Sequence, residues 1–424
     1  MEGADSSRIS VLHVDDEPGL AETTAEFLQH EDDRLTVETA TSASEGLDRL
    51  AEVAFDCVVS DYDMPEMNGI ELLKAVRATY PDIPFVLFTG KGSEEIASEA
   101  VSAGVSDYLQ KRGGTERYTL LANRIENLVA QHRAEEGLQT RVRQQAAVAD
   151  LGQYALRGCD LGSLFERAVE SVSEGLDTEY SKVLEYRPAN GDLLLRAGIG
   201  WQPGLVGEAA VGAGEESQAG YTLQTEEPVV VEDLRTESRF SGPPLLLDHG
   251  VVSGISVIIG TPAEPWGVLG THTSERRSFT QDDITFVRGV ANILTDAIER
   301  EQLERNLRQA EQRYKTLLEN FPDGGVFLFD EDFRYLVARG EGLSVLGLAP
   351  GDVEGKTLDE VFPPEAVEVQ EPKYRAALDG KKQIWIQEYE GRRYRMYALP
   401  VRANGDERRG MIVSEDVTDL PSSV

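Results

Sequence analysis

Cysteine, histidine, lysine and long apolar runs are all scarce in this chain, and each scarcity removes a class of function. Two cysteines, Cys57 and Cys159, occur in 424 residues, in segments that read as separate domains. A disulfide framework and a cysteine-based metal site are thereby excluded. No apolar run approaches the roughly 20 residues of a membrane-crossing helix, and residues 1–7 are polar and acidic. Neither a membrane span nor a signal peptide is expected, which places the chain in the cytoplasm. Basic residues number 41, only nine of them lysine, against 76 acidic ones, for a formal charge of −35. Nucleic-acid phosphates need a basic face, and anionic lipid repels an acidic one. Neither nucleic acid nor a membrane is an expected partner.

Asp15, Asp16, Asp61, Thr89 and Lys111 are the most informative residues present. They stand at the C-terminal ends of short apolar runs, residues 9–14, 57–60, 85–88 and 108–109. Helix-length amphipathic stretches lie between these runs. That alternation indicates an α/β unit with a parallel sheet, whose functional crevice opens beyond the carboxyl ends of the strands. Three carboxylates gathered there need a counter-ion, and a hard divalent cation such as Mg²⁺ suits them. A carboxylate can also serve as a nucleophile toward phosphorus. The metal, an ammonium and a hydroxyl would then offset charge on the transferred group. Taken singly, Asp15 or Asp16 could equally cap the helix that Pro18 opens.

Residues 8 to about 129 resemble a response-regulator receiver domain. The resemblance rests on Val14-Asp15-Asp16-Glu17, Ser60-Asp61-Tyr62-Asp63-Met64-Pro65 with Gly69, Phe88-Thr89-Gly90, and Asp107-Tyr108-Leu109-Gln110-Lys111. It implies a five-stranded parallel, flavodoxin-like fold in which Asp61 is the phosphoacceptor. Asp16 and Asp61 would ligate Mg²⁺ directly, Asp15 through water, and Asp63 through its backbone carbonyl. Thr89 and Tyr108 would form the switch pair, and Lys111 would pair with a phosphoryl oxygen. Two positions depart from the family pattern. Gly90 stands where alanine is usual, and Arg112 where proline, often with a cis bond, is usual, so the loop after Lys111 is expected to differ in shape.

Two long helical patterns follow, residues 118–155 and 284–318. In the second, Leu303, Leu307, Ala310, Tyr314, Leu317 and Phe321 alternate spacings of four and three, the seam of a short coiled coil. A homodimer through that helix is expected; a single amphipathic helix packed on its own domain is the alternative. Between the helices, strands at 180–186, 193–197, 228–231, 253–260 and 266–271 accompany a helix at 163–173, an α+β pattern. Thr280 and Asp283 are spaced as a capping box opening the second long helix. This segment resembles a GAF domain through Glu227-Pro228-Val229-Val230-Val231-Glu232-Asp233, Gly250 to Val257, Trp266-Gly267-Val268-Leu269-Gly270 and Phe279 to Asp283. The last segment places strands at 325–329, 335–339, 384–389, 393–400 and 410–417. It resembles a PAS domain through Leu317 to Gly324, Gly347, Gly355-Lys356-Thr357-Leu358 and Ser414 to Thr418. The expected organisation is a receiver over 1–129, a helical linker over 130–143, a GAF domain over 144–300, a coiled-coil-like linker over 301–312 and a PAS domain over 313–424.

The ligands of the GAF and PAS segments are not named by the sequence, but some are excluded. No histidine follows His272 and no cysteine follows Cys159, so His-ligated haem and a cysteinyl-flavin are unavailable to the PAS segment. His132 is followed by Arg133-Ala134-Glu135, unlike a kinase His-box, and no ATP-binding, cyclase or phosphodiesterase signature is apparent. The chain is therefore read as a non-enzymatic two-component signalling protein, phosphorylated on Asp61 by a separate histidine kinase. The alternatives are a component of a hybrid or degenerate kinase, or a constitutive dimeric scaffold. The acid-rich, lysine-poor composition resembles cytoplasmic proteins of salt-accumulating, haloarchaeal cells, where high salt screens self-repulsion.

Overall fold

The computed structural model describes residues 8–90, 94–111, 114–225, 227–345, 347–389, 391–402 and 408–419. It forms two compact units, residues 1–295 and 296–424. In the first, β1 (Ile9–Val14), β2 (Leu35–Ala40), β3 (Cys57–Ser60), β4 (Phe85–Thr89) and β5 (Asp107–Gln110) alternate with α1 (Pro18–Glu31), α2 (Ala43–Glu52), α3 (Gly69–Thr79) and α4 (Glu94–Ser102). The five strands form a parallel sheet ordered β2-β1-β3-β4-β5. Every residue of β3 and β4 is buried, which is why both read as continuous apolar runs. Edge strand β2 buries only Leu35 and Ala40 fully; its Thr36, Glu38 and Thr39 give no strand signal in the sequence. Pro18 opens α1, but neither Asp15 nor Asp16 caps it. The N-cap is Glu17, whose side chain makes no capping bond. At α3, Asn68 Oδ1 accepts from the Ile70 and Glu71 amides while Glu71 returns a bond to Asn68 N–H, a capping box.

Helix α5 runs from Glu116 to Leu156 without a break, about 60 Å at 1.5 Å per residue. Its first half lays Tyr118, Leu121, Ile125 and Val129 into the core under the parallel sheet, against Val11, Val86 and Phe88. Its far end packs against α6 (Leu161–Leu176). There the buried Gln144 donates to Asp283 Oδ1 at 3.1 Å and to the Gly175 carbonyl at 3.3 Å.

After α6 come β6 (Tyr180–Arg187), β7 (Asp192–Ile199), β8 (Ala210–Gly212), α7 (Gln218–Gln224), β9 (Val229–Val231), α8 (Pro244–Leu247), β10 (Ser253–Gly260) and β11 (Pro265–Thr273). The six strands form an antiparallel sheet ordered β8-β7-β6-β11-β10-β9. Helix α9 (Gln281–Glu319) then leads into the second unit. It starts on the expected capping box: Asp283 Oδ2 accepts from Thr280 N–H at 2.9 Å, and Thr280 Oγ1 from Asp283 N–H at 3.2 Å.

The second unit holds β12 (Gly324–Phe329), β13 (Tyr335–Arg339), α10 (Glu341–Val345), α11 (Leu358–Val361), α12 (Pro364–Leu378), β14 (Gln383–Tyr389), β15 (Arg392–Arg402) and β16 (Arg408–Asp416). Its antiparallel sheet is ordered β13-β12-β16-β15-β14. Tyr374 of α12 packs on Phe329 and shares a 2.7 Å hydroxyl contact with Tyr335. Beside this pair lies a cavity of about 60 Å³, lined by Phe327, Leu343, Gln370, Met396 and Ile412 among others.

Candidate functional site

Parallel register delivers the carboxyl ends of β1, β3, β4 and β5 to one edge of the first sheet. Asp15 follows β1, Asp61 follows β3, Thr89 closes β4 and Lys111 follows β5. The chain brings them together across up to 96 positions. Lys111 Nζ lies 2.6 Å from Asp15 Oδ2 and 2.7 Å from Asp61 Oδ1, and 5.7 Å from the centre of the Phe88 ring. Asp15 and Asp61 are buried, at 1% and 7% exposure. One ammonium bridging two such carboxylates makes short, charge-assisted bonds where unpaired charge would be costly.

The remaining carboxylate oxygens are held by backbone. Asp15 Oδ1 accepts from Glu17 N–H at 3.0 Å, and Asp61 Oδ2 from Asp63 N–H at 2.8 Å. Thr89 is fully buried, and its carbonyl accepts from the Lys111 amide at 2.7 Å. Asp16 and Tyr108 are half-buried at the rim, and Asp63 is exposed. Gly90 has nothing within 4 Å of the position a β-carbon would take, so alanine would fit there equally well. Arg112, the other departure from the expected pattern, lies outside the described residues.

His13 is the site-adjacent residue that sequence reasoning missed. It sits in the apolar run of β1, fully buried, with Nε2 4.0 Å from Asp15 Oδ2 and Nδ1 3.3 Å from the Val59 carbonyl. Burial pushes its pKa down to about 4 against the pull of Asp15, so the ring is neutral at pH 7. Only the oddity of an imidazole inside an apolar strand could have flagged it.

The donors around the crevice are all oxygen, which fits a hard cation by type. Among the described residues no three acidic, histidine or cysteine side chains are spaced to enclose one, and Lys111 supplies the counter-charge between Asp15 and Asp61. A cation bound by both acids would require Lys111 to withdraw from at least one of them.

Residues 11–122 match the family model of the response regulator receiver domain, residues 160–298 that of the GAF domain, and residues 318–420 that of the PAS fold. Among curated proteins, transcriptional regulatory protein FixJ of Bradyrhizobium diazoefficiens is 40% identical over 85 residues, 20% of this chain and 40% of FixJ. Hybrid signal transduction histidine kinase D of Dictyostelium discoideum is 32% identical over 131 residues, 30% of this chain and 8% of that protein. This chain therefore spans less than two thirds of either relative. Among solved structures, chemotaxis response regulator CheY4 of Vibrio cholerae is 32% identical, covering 28% of this chain and 98% of its own, with a TM-score of 0.26. A five-stranded parallel sheet whose acidic edge is bridged by a lysine thus coincides with the first matched segment, and antiparallel sheets with the other two. The chain carries a response-regulator receiver domain, a GAF domain and a PAS fold, in that order, as in two-component signalling.

Proposed function

We propose that Asp61 accepts a phosphoryl group from a separate histidine kinase and that the GAF and PAS segments sense small molecules. The observation that carries this reading is the Lys111 ammonium, 2.7 Å from Asp61 Oδ1. An Asp61 oxygen bonds to phosphorus as the P–N bond of a phosphohistidine breaks, and the imidazole leaves with a proton. Lys111 then offsets charge on the phosphoryl oxygens. Mg²⁺, held by Asp16, Asp61 and the Asp63 carbonyl, with Asp15 through water, would neutralise the same oxygens when bound. Thr89 donates its hydroxyl to the phosphoryl group, and Tyr108 reorients with it.

Two features support an output through protein contacts. Helix α5 belongs to the cores at both its ends, so a shift of the receiver loads the GAF segment directly. On α9, Leu303, Leu307, Tyr314 and Leu317 are 62–69% exposed. Its charges are paired along the helix itself, Arg308 with Glu304 and Lys315 with Glu319. That pattern suits a second copy of this chain joined seam to seam. Among the described residues no helix is long and apolar enough to cross a membrane.

The test is intact mass spectrometry after acetyl phosphate, with and without EDTA. A Mg²⁺-dependent gain of one phosphoryl group, absent in Asp61→Asn, is expected. Equal labelling of that variant would overturn the assignment.

A further inference from the structure

The GAF sheet carries a polar cluster that phosphorylation leaves unused. Lys182 on β6 is 2% exposed, and burial holds its pKa below the ordinary lysine value. The ammonium lies 5.3 Å from the centre of the Trp201 ring. His272 on β11 is 1% exposed, and neither ring nitrogen has a hydrogen-bond partner. Strand register makes the two residues neighbours. Lys182 pairs with Gly270, and His272 stands two residues further along the same face. Gly270 lets the two side chains pack over its strand: a β-carbon there would lie 3.1 Å from His272 Nε2 and 3.3 Å from Lys182 Cε.

Helix α7 closes the cluster from above. Ser256 on β10 pairs with Gly270, and its hydroxyl meets Thr222 Oγ1 of α7 at 2.8 Å. One turn earlier on α7, Gln218 is 2% exposed with its Nε2 unpartnered. Buried polar groups without partners are rare, and an unpaired buried charge is costlier still. Here an amide N–H₂ and an imidazole that carries one N–H are without hydrogen-bond partners, beside an ammonium that meets the Trp201 ring. These are donors, and the group that answers them is an acceptor bearing negative charge. Trp201, Leu184 and Val268 wall the same face with apolar surface, which favours an organic skeleton over a bare inorganic ion.

We propose that this face binds a small organic carboxylate, its oxygens held by Lys182, Gln218 and the His272 N–H, and its carbon skeleton laid against Trp201. The proposal gives the sensory side of the reading above a ligand class and rests on that reading only for its consequence, because binding is measured without phosphorylation. The 424-residue chain is used with Trp266→Phe and Trp385→Phe, so that Trp201 is the sole tryptophan and is excited selectively at the red edge of indole absorption. Acetate, pyruvate and succinate are titrated at constant ionic strength, with inorganic phosphate as a separate arm. A saturable change in Trp201 emission with at least one carboxylate is expected. Lys182→Met should weaken it at least tenfold and Gln218→Leu severalfold, while Asp61 labels as before in both. If Lys182→Met does not fold, His272→Phe carries the same tenfold expectation. The proposal falls if no carboxylate saturates, if phosphate alone binds, or if the variants bind like the parent. Failure of Asp61 to label, with binding intact, would count against the phosphoacceptor reading and not against this one.

Discussion

Gly69 touches the backbone of Asp61: a β-carbon at Gly69 would lie 2.2 Å from the Asp61 carbonyl oxygen. The first residue of α3 is thus pressed against the residue at the centre of the crevice, and Gly69 N–H bonds to the Tyr62 carbonyl at 3.0 Å. Backbone on both sides leaves nothing flexible to give way. Gly69→Ala should lower stability by about 1–3 kcal/mol, the usual cost of overpacking, and should slow labelling of Asp61 by moving it. Urea unfolding together with phosphorylation kinetics tests this; a variant with parental midpoint and rate would show that the contact is relieved at no cost.

Lys111→Met would leave Asp15 and Asp61 buried without their shared cation. Removing one partner of a buried ion pair typically costs about 3–5 kcal/mol. The expected outcome is a lower urea midpoint in EDTA and a partial recovery in millimolar Mg²⁺, since a cation can replace the ammonium as counter-charge. A midpoint indifferent to Mg²⁺ would contradict the assignment of these acids as metal ligands.

Burial lowers the Lys182 pKa to about 7, against an ordinary 10.5, and His272 faces it as the neighbouring titratable group. Between those two values the unfolded chain binds the proton that the folded chain has released. Stability from this group therefore rises with pH across roughly 7 to 10.5. Lys182→Met should flatten that slope, and denaturant midpoints at pH 7, 8 and 9 would reveal it. An unchanged slope would place the proton elsewhere.

Leu307→Glu sets a charge in the middle of the α9 seam. If two chains meet there, each buried Leu contributes about 1.5–3 kcal/mol, and the variant should run as a monomer in light scattering while the parent runs as a dimer. A monomeric parent, or a dimeric variant, rules the seam out.

Much of the fold was legible because apolar runs end at charged or polar residues. Residues 9–14 and 253–260 match β1 and β10 to the residue, and the Thr280–Asp283 spacing named the start of α9 to within a residue. Strand β2 was not named, since an edge strand faces solvent and need not alternate cleanly. The four residues that meet at the crevice were legible as ends of strands. The partners of Gln144 were not: Asp283 lies 139 residues away, and nothing local marks a polar side chain that will be buried on arrival. Lys182 and His272 were hidden for the same reason. Each stands in a strand of ordinary pattern, and only register places them together.

The unbroken course of α5 from Glu116 to Leu156 has a consequence for how the chain tolerates change. Between Val129 and Gln144 none of its residues is buried; apart from Arg133, paired with Asp56, and Arg141, paired with Asp282, packing constrains their number more than their identities. Each residue added to a helix of 3.6 residues per turn rotates everything beyond it by about 100°. One inserted residue would turn Gln144, with Asp283 and the segment packed on it, by that angle relative to Tyr118, whereas seven would restore the angle to within about 20°. The stretch is better regarded as a fixed phase than as a tether, with its length setting the angle.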